Sequence, residues 1–308
     1  MQYSRSKHFY WQQVQIATFG IAFLAAAVLS LACAAPAMAA TLDRVRQTGK
    51  ITLGYRADAR PFAYRDETGN ADGYAAALCK QVAEQLKSDQ GLSTLAVEWV
   101  PVNVEDQFRA VQENTVDLLC GAVETLASRK DVDFSVPIFL GGIGAALRTD
   151  APIGLREVIS GRPPSAPVPE KQVFSVVPGT PGDKWLAAEL DKFQLNAKII
   201  PVEGYDAGIR RILNRSSNVF FADRYILLDA AKRIPITSAN DLMVLQRQFT
   251  HTPFALALEH GDDDFRLVVD RILGQFFGSA KFNELYVRWF GKPDESAITL
   301  FRLSTLPE

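Results

Sequence analysis

The sequence predicts an α/β fold built in two parts, and three observations carry that prediction. Strand-like and helix-like stretches alternate along the chain after residue 40, the pattern left by mainly parallel sheets joined through helical crossovers. The alternation breaks at Gly161-Arg162-Pro163-Pro164-Ser165-Ala166-Pro167-Val168-Pro169, where proline can continue neither helix nor inner strand, and it restarts beyond that loop as a second lobe. The last third of the chain gives a strand followed by two helices with no strand between them.

Short strands are expected at residues 51–56, 97–101, 117–121, 173–177, 198–201, 219–222 and 254–258. Each is a brief apolar, β-prone run bounded by turn residues. Between them, apolar residues recur at helical spacing: Tyr74, Leu78, Val82 and Leu86, then Phe108 and Val111, then Leu186, Leu190 and Phe193, then Ile209 and Leu213. Such stripes are the buried faces of amphipathic helices. Phe265, Val268, Ile272 and Phe276 mark the first C-terminal helix and Phe282, Leu285 and Trp289 the second, which Gly291 and Pro293 are expected to stop. No internal repeat is visible.

Residues 1–40 contain no acidic residue, carry Arg5 and Lys7, run apolar from Phe19 to Leu29 and end in Ala37-Met38-Ala39. That is the layout of a cleavable export signal, with cleavage near Ala39. An uncleaved anchor fits less well, because Pro36 breaks the helix and the apolar run is shorter than the roughly 20 residues a span needs. Lipidation at Cys33 is the weaker alternative, since Ser30 stands where a lipoprotein signal usually has leucine. Removing the segment takes two of 33 basic and none of 35 acidic residues, leaving a net charge of about −4. Nothing in that balance points to nucleic acid. Cys79 and Cys120 remain. An oxidising compartment favours a disulfide between them, and two separate buried thiols are the alternative. His251 and His260 have no metal-ligand spacing with them, and neither metal nor cofactor is expected.

The stretch Gly54-Tyr55-Arg56, Pro61-Phe62-Ala63-Tyr64, Asp72-Gly73-Tyr74 joins a strand to a loop to a helix. An arginine and aromatics at the carboxyl end of a strand are the usual wall of a small-molecule pocket. With Val116-Asp117-Leu118-Leu119-Cys120-Gly121, Val132-Asp133-Phe134-Ser135-Val136-Pro137-Ile138-Phe139, Pro178-Gly179-Thr180, Phe221-Ala222-Asp223 and Leu285-Tyr286-Val287-Arg288-Trp289-Phe290-Gly291, it resembles the periplasmic amino-acid-binding proteins of bacterial ABC importers, the family 3 solute-binding proteins. The resemblance covers essentially the whole chain after the export signal. It implies a two-lobed clamshell, each lobe a mainly parallel sheet flanked by helices, with hinge crossovers near residues 144–147 and 252–255. The domains expected are 1–40 as signal, 41–145 as the first part of lobe 1, 146–251 as lobe 2, and 252–308 as the return to lobe 1.

Seven residues are candidates for the ligand. Arg129 is expected to hold a ligand carboxylate through two parallel hydrogen bonds, the role the resemblance gives to an arginine after a threonine-containing loop. Here that loop is one residue shorter than the family pattern between Cys120 and Phe134, which puts Glu124 or Thr125 at the threonine position. An exposed arginine beside Asp131 and Asp133 is the plainer reading. Asp223 is expected to pair with the ligand's ammonium, and a helix N-cap explains it equally well. Thr180 stands at a strand-to-helix turn with Pro181 in the first helical position, a place that offers backbone N–H groups or simply caps the helix. Arg56 is placed like the arginine that acidic-amino-acid binders use for the second carboxylate; an ion pair with Asp58 is the alternative. Phe62 and Tyr64 wall the ligand's aliphatic part, or one of them belongs to the core. The family's helix-start acid is missing, because Gly73-Tyr74-Ala75-Ala76-Ala77-Leu78 has alanine there. This departure and the shortened loop point to an unusual ligand.

The function expected is a non-catalytic, monomeric periplasmic protein that delivers a small polar solute, an amino acid with an acidic or polar side chain, to an inner-membrane ABC permease. The alternatives are an enzyme on the same fold, resembling the cyclohexadienyl dehydratases with Glu124 as general acid or base, and a sensory module for a membrane receptor.

Overall fold

In the computed structural model, residues 40–193, 196–234 and 241–305 are described. The predicted export signal, including Cys33 and Ala39, lies outside them. No helix among the described residues is long and apolar enough to cross a membrane.

Helix α1 (Thr41–Thr48) leads into β1 (Lys50–Arg56), then come the short β2 (Asp58–Ala59), β3 (Ala63–Arg65) and β4 (Ala71–Asp72), helix α2 (Tyr74–Asp89), β5 (Ala96–Val102), α3 (Gln107–Gln112) and β6 (Leu118–Val123). After β7 (Asp133–Phe134) and β8 (Phe139–Gly141), the chain enters a second sheet with β9 (Ile143–Leu147), followed by α4 (Ile153–Ile159), β10 (Gln172–Val176), α5 (Pro181–Glu189), β11 (Ala197–Pro201), α6 (Tyr205–Leu213), β12 (Val219–Asp223), α7 (Arg224–Arg233) and β13 (Met243–Val244). It returns through β14 (Thr252–Leu258) and closes with α8 (Asp263–Phe277), α9 (Ala280–Phe290) and α10 (Glu295–Ser304).

The first sheet has the order β5-β1-β6-β14-β7, with β8 on β14; the second has the order β11-β10-β12-β9-β13. In each sheet three neighbouring strands run parallel, β5-β1-β6 and β11-β10-β12. The segments that carry the chain between lobes, β14 and β9, add antiparallel to them. Parallel strands need both faces covered, and the residues supply this by alternation, interrupted in β6 at Gly121, whose φ is 83°. Val219 and Phe221 of β12 face one core while Phe220 and Ala222 face another, and Leu118 and Cys120 of β6 are likewise opposed to Leu119 and Ala122.

The two passages between lobes lie side by side. β8 pairs with β14 through Gly141 and Thr252, and beyond that pair Ile143 N–H donates to Thr250 Oγ1 at 3.0 Å and Phe249 N–H to the Ile143 carbonyl at 2.7 Å. Only glycine fits at position 142, because a Cβ there would lie 1.9 Å from the Thr250 carbonyl oxygen. The alanines that open α2 have a similar cause. Ala75 is fully buried, and a Cβ on Gly121 would approach its Cβ to 2.7 Å, so helix and strand meet too closely for larger side chains.

An aromatic cluster backs the passages. Phe62 stacks on Phe254 at 4.4 Å, Phe139 meets Phe290 at 4.3 Å, and Tyr225 of the second lobe meets Phe139 edge-on at 4.7 Å. Tyr74, fully buried, donates its hydroxyl to the Ile138 carbonyl at 2.7 Å. The chain does not end its helices at Gly291. Asp294 accepts from Ala297 N–H at 2.8 Å and starts α10, whose Phe301 packs on Phe277 and Phe282, so the Gly-Pro pair is a corner between helices.

A disulfide joins Cys79 of α2 to Cys120 of β6, with Cα atoms 5.9 Å apart and a sequence separation of 41. Cross-linking a loop of that length stabilises by about 2–4 kcal/mol, chiefly through the unfolded chain. Cys79→Ser with Cys120→Ser is therefore expected to lower the unfolding free energy by about that amount in urea titrations.

Candidate functional site

The carboxyl ends of β1 and β6 face the second lobe, as strand ends in open α/β sheets face their ligands. Arg56, the last residue of β1, is 9% exposed and binds Asp58 bidentately, Nε to Oδ1 at 3.0 Å and Nη2 to Oδ2 at 2.7 Å. Burial opposes its charge, yet the neighbouring Tyr205 and Asp58 outweigh that, and its pKa stands above the usual arginine value. Tyr205 opens α6 in the second lobe, near enough to Arg56 and Asp58 of the first for their charges to act on it.

Asp223 ends β12 and starts α7. Its Oδ1 accepts from Tyr225 N–H at 2.9 Å and Ile226 N–H at 3.4 Å, while Oδ2 accepts from Gly142 N–H at 2.8 Å. The same carboxylate thus caps a helix and fastens the first passage between lobes. Burial pushes its pKa up to about 6 against the opposing pull of those three N–H groups and of Arg224. Tyr205 feels the charge of Asp223 as well as that of Arg56, which places one tyrosine among a cation and an anion in a buried setting.

Thr180 is buried at the N-cap of α5, but its hydroxyl donates to the Val177 carbonyl at 2.7 Å and makes no cap bond. The neighbouring Gly179 N–H is taken by Asp183 Oδ2 at 3.0 Å, and Glu105 of the first lobe lies against Gly179.

Beyond β6, Glu124 is buried and its Oε1 accepts from Arg129 Nε at 2.6 Å, with a second contact from Nη2. Thr125 and Ser128 close the intervening turn reciprocally: Thr125 N–H donates to Ser128 Oγ at 2.9 Å and Ser128 N–H to Thr125 Oγ1 at 3.0 Å. Thr125 therefore shapes the loop while its residue stays exposed.

A cavity of about 720 Å³ opens between the lobes, lined by Arg60, Tyr64 and Arg65 on one side and Glu203, Tyr205 and Arg233 on the other. Across its rim Arg60 Nε meets Asp229 Oδ1 at 3.2 Å and its guanidinium lies 4.6 Å over the Tyr64 ring. Tyr64 donates to Asp72 Oδ2 at 2.7 Å, and burial together with that carboxylate pushes its pKa up to about 12. Phe62 is fully buried in the aromatic cluster and Tyr64 lines the cavity.

Among the seven candidates, Tyr64 lines the cavity and Arg56 and Asp223 do not, though the charges of both act on Tyr205, which does; Thr125 and Arg129 form a separate loop with Glu124; Thr180 faces its own strand. Sequence reasoning missed Tyr205. The signal was present in Gly204-Tyr205, a strand-to-helix turn after β11 like the one that drew attention to Thr180. Among the described residues no group of three or more His, Cys, Asp or Glu is placed to hold a metal ion.

The Asp223 carboxyl gives a pH signature. Its folded pKa of about 6 exceeds the unfolded value of 3.8, so its stabilising contribution is complete below pH 4 and lost as pH rises through 6. Relative to Asp223→Asn, the wild-type protein free of ligand is expected to lose about 2 kcal/mol of stability between pH 4 and pH 7, measured by urea unfolding across that range.

The family of bacterial extracellular solute-binding proteins, family 3, matches residues 51–292. The chain is 27% identical over 272 residues to the L-glutamate/L-aspartate-binding protein of Pseudomonas aeruginosa, covering 88% of this chain and 86% of that protein. It is 24% identical over 261 residues to the glutamate/aspartate import solute-binding protein of Escherichia coli, covering 84% and 82%. Among solved structures, a cysteine-binding protein from Campylobacter jejuni superposes with a TM-score of 0.66 at 20% identity, covering 83% of this chain and 96% of that one. An ancestral amino-acid-binding protein, described as a precursor of cyclohexadienyl dehydratase, gives a TM-score of 0.67 at 23% identity, covering 82% and 100%. The chain, a two-lobed α/β clamshell with its polar groups gathered where the lobes meet, belongs to the family 3 bacterial extracellular solute-binding proteins.

Proposed function

We propose that the protein binds one small amino acid between its lobes in the periplasm, acts as a monomer and delivers its ligand to an inner-membrane ABC permease. The observation that carries this reading is that Arg56 at the end of β1 and Asp223 at the end of β12, a cation from one lobe and a carboxyl from the other, both act electrostatically on the buried Tyr205. A zwitterion needs a cation for its carboxylate and an anion for its ammonium once water is removed. Arg56 is buried and Asp223 half-buried, and they come from different lobes, so a ligand that bridges them favours closure. The glutamate and aspartate specificities of the two relatives support an amino acid as the class. Lobe 1 is read as residues 41–145 and 252–308 and lobe 2 as 146–251, with the export signal removed near Ala39.

The reading is of a binding protein without turnover. The carboxylate suspected as a general acid or base, Glu124, is engaged by Arg129, a bond that proton transfer would have to give up. Of the remaining candidates Tyr64 walls the cavity, while Thr180 is held to its own strand and Phe62 belongs to the core behind it.

Thermal-shift and calorimetric titration of the mature protein with glutamate, aspartate, glutamine, cystine and arginine is expected to give one strong ligand, which at 100 times its Kd stabilises by about 2.7 kcal/mol. Asp223→Asn and Arg56→Ala are each expected to weaken that ligand at least about tenfold, the loss of one charge-assisted bond. No shift with any amino acid contradicts the reading.

A further inference from the structure

The short strands β2, β3 and β4 form a sheet of their own, separate from both large sheets. This small sheet and its turns, between Ala57 and Thr68, supply one wall of the cavity, and the start of α6 with Arg233 of α7 supplies the other. Arg60, in the connection from β2 to β3, crosses from the first wall to Asp229 of α7, Nε to Oδ1 at 3.2 Å. Among the described residues no other ion pair joins the two lobes.

Each partner is held in place by its own lobe. The Asp229 side chain is 15% exposed, and its Oδ2 accepts from Arg233 Nε at 2.7 Å. Arg233 in turn reaches Asp206 Oδ1 at 2.8 Å. Two carboxylates thus share one guanidinium, and the cluster on the second lobe keeps a net negative charge that only Arg60 cancels. On the first lobe the Arg60 guanidinium lies 4.6 Å over the Tyr64 ring and 5.9 Å from that of Trp289. The Tyr64 ring is itself tied down through its hydroxyl to Asp72.

This preparation decides whether the pair matters. An exposed ion pair contributes little, chiefly because ordering two long side chains offsets the attraction. Here stacking on one side and the Arg233 bond on the other order both partners before they meet, so less is lost when they do. Parting the lobes would leave Asp229, mostly buried, with one cation for two carboxylates, and that imbalance favours the closed arrangement. Asp229 is not among the residues that line the cavity, whereas Arg60 and Arg233 are. Its influence on a bound solute therefore runs through closure.

We propose that Arg60 and Asp229 form a latch that holds the lobes together across the cavity before any solute enters. Asp229 is its positioning residue. A solute that binds the closed arrangement then finds it already populated, and loosening the latch weakens that solute by up to the same factor as the loss of closed protein. The latch goes beyond the amino-acid reading and does not depend on which solute the cavity takes.

Single-molecule energy transfer tests it on protein dialysed free of small molecules, with dyes at Lys87→Cys on α2 and Lys184→Cys on α5, both exposed positions. At low salt the closed-to-open ratio is expected to fall about fivefold in Asp229→Asn and about fivefold in Arg60→Gln. Raising NaCl to about 1 M is expected to lower the wild-type ratio by a similar factor and to leave both variants unchanged. Combining the two substitutions is expected to cost no more than either alone, because one contact is lost once; a loss caused by slackening of Arg233 or α7 would add to that of Arg60→Gln. A ratio unchanged in a folded single variant, additive losses in the double variant, or a wild-type ratio indifferent to salt overturns the latch. If one variant fails to fold, the other and the salt titration of wild type decide. Because no solute is present, these outcomes leave the amino-acid reading to its own titrations.

Discussion

The three hydrogen bonds accepted by the Asp223 carboxylate hold together the part of the molecule on which the rest depends. One fastens Gly142, in the passage that leaves the first lobe, and two cap the helix that follows β12. Helix α7 carries Tyr225 into the aromatic cluster behind the passages and Asp229 to the rim opposite Arg60. One carboxylate therefore sets the hinge, the helix start and the position of the groups around the cleft. Its burial costs free energy that three backbone donors do not fully return, and its raised pKa is the record of that imbalance. An added positive group would redress it. A structural cap and a ligand-binding carboxylate are thus compatible roles for the same residue.

Much of the fold was legible because its strands are short, apolar and separated by regular helices. The runs at 51–56, 173–177 and 219–222 lie within one residue of the observed β1, β10 and β12, since alternating burial on both faces leaves little freedom in where such strands begin. The proline-rich segment at 161–169 is neither helix nor strand, as missing N–H donors require. The Cys79–Cys120 disulfide follows from a helix packed on the next inner strand. Less legible was what depends on contacts between distant segments. Strand β9 carries two glycines' worth of ambiguity around Gly142 and Gly144, and it exists because β12 and β13 flank it. Helix α10 was hidden behind Gly291 and Pro293, because a corner and a terminus have the same local signature.

The site divides along the same line. Residues that act at the end of their own strand, Arg56 and Asp223, could be picked from strand ends alone. Tyr205 could be picked only by asking which helix start faces them. The bond between Glu124 and Arg129 was not legible, because the partners lie five residues apart across a turn whose closure by Thr125 and Ser128 has no strong sequence mark. The alanine run after Gly73 has a packing cause in the approach of Ala75 to Gly121. That leaves the loop from Glu124 to Arg129 as the remaining departure from the family pattern.

The proposed function requires that one amino acid bridge Arg56 and Asp223 between the lobes. Native mass spectrometry of the protein, purified without denaturation from the cells that make it, tests this most directly. A bridging ligand gives a single adduct with the mass of an α-amino acid that is absent from protein carrying Asp223→Asn. Either no adduct after growth in amino-acid-rich medium or a bound molecule without an amine would contradict it.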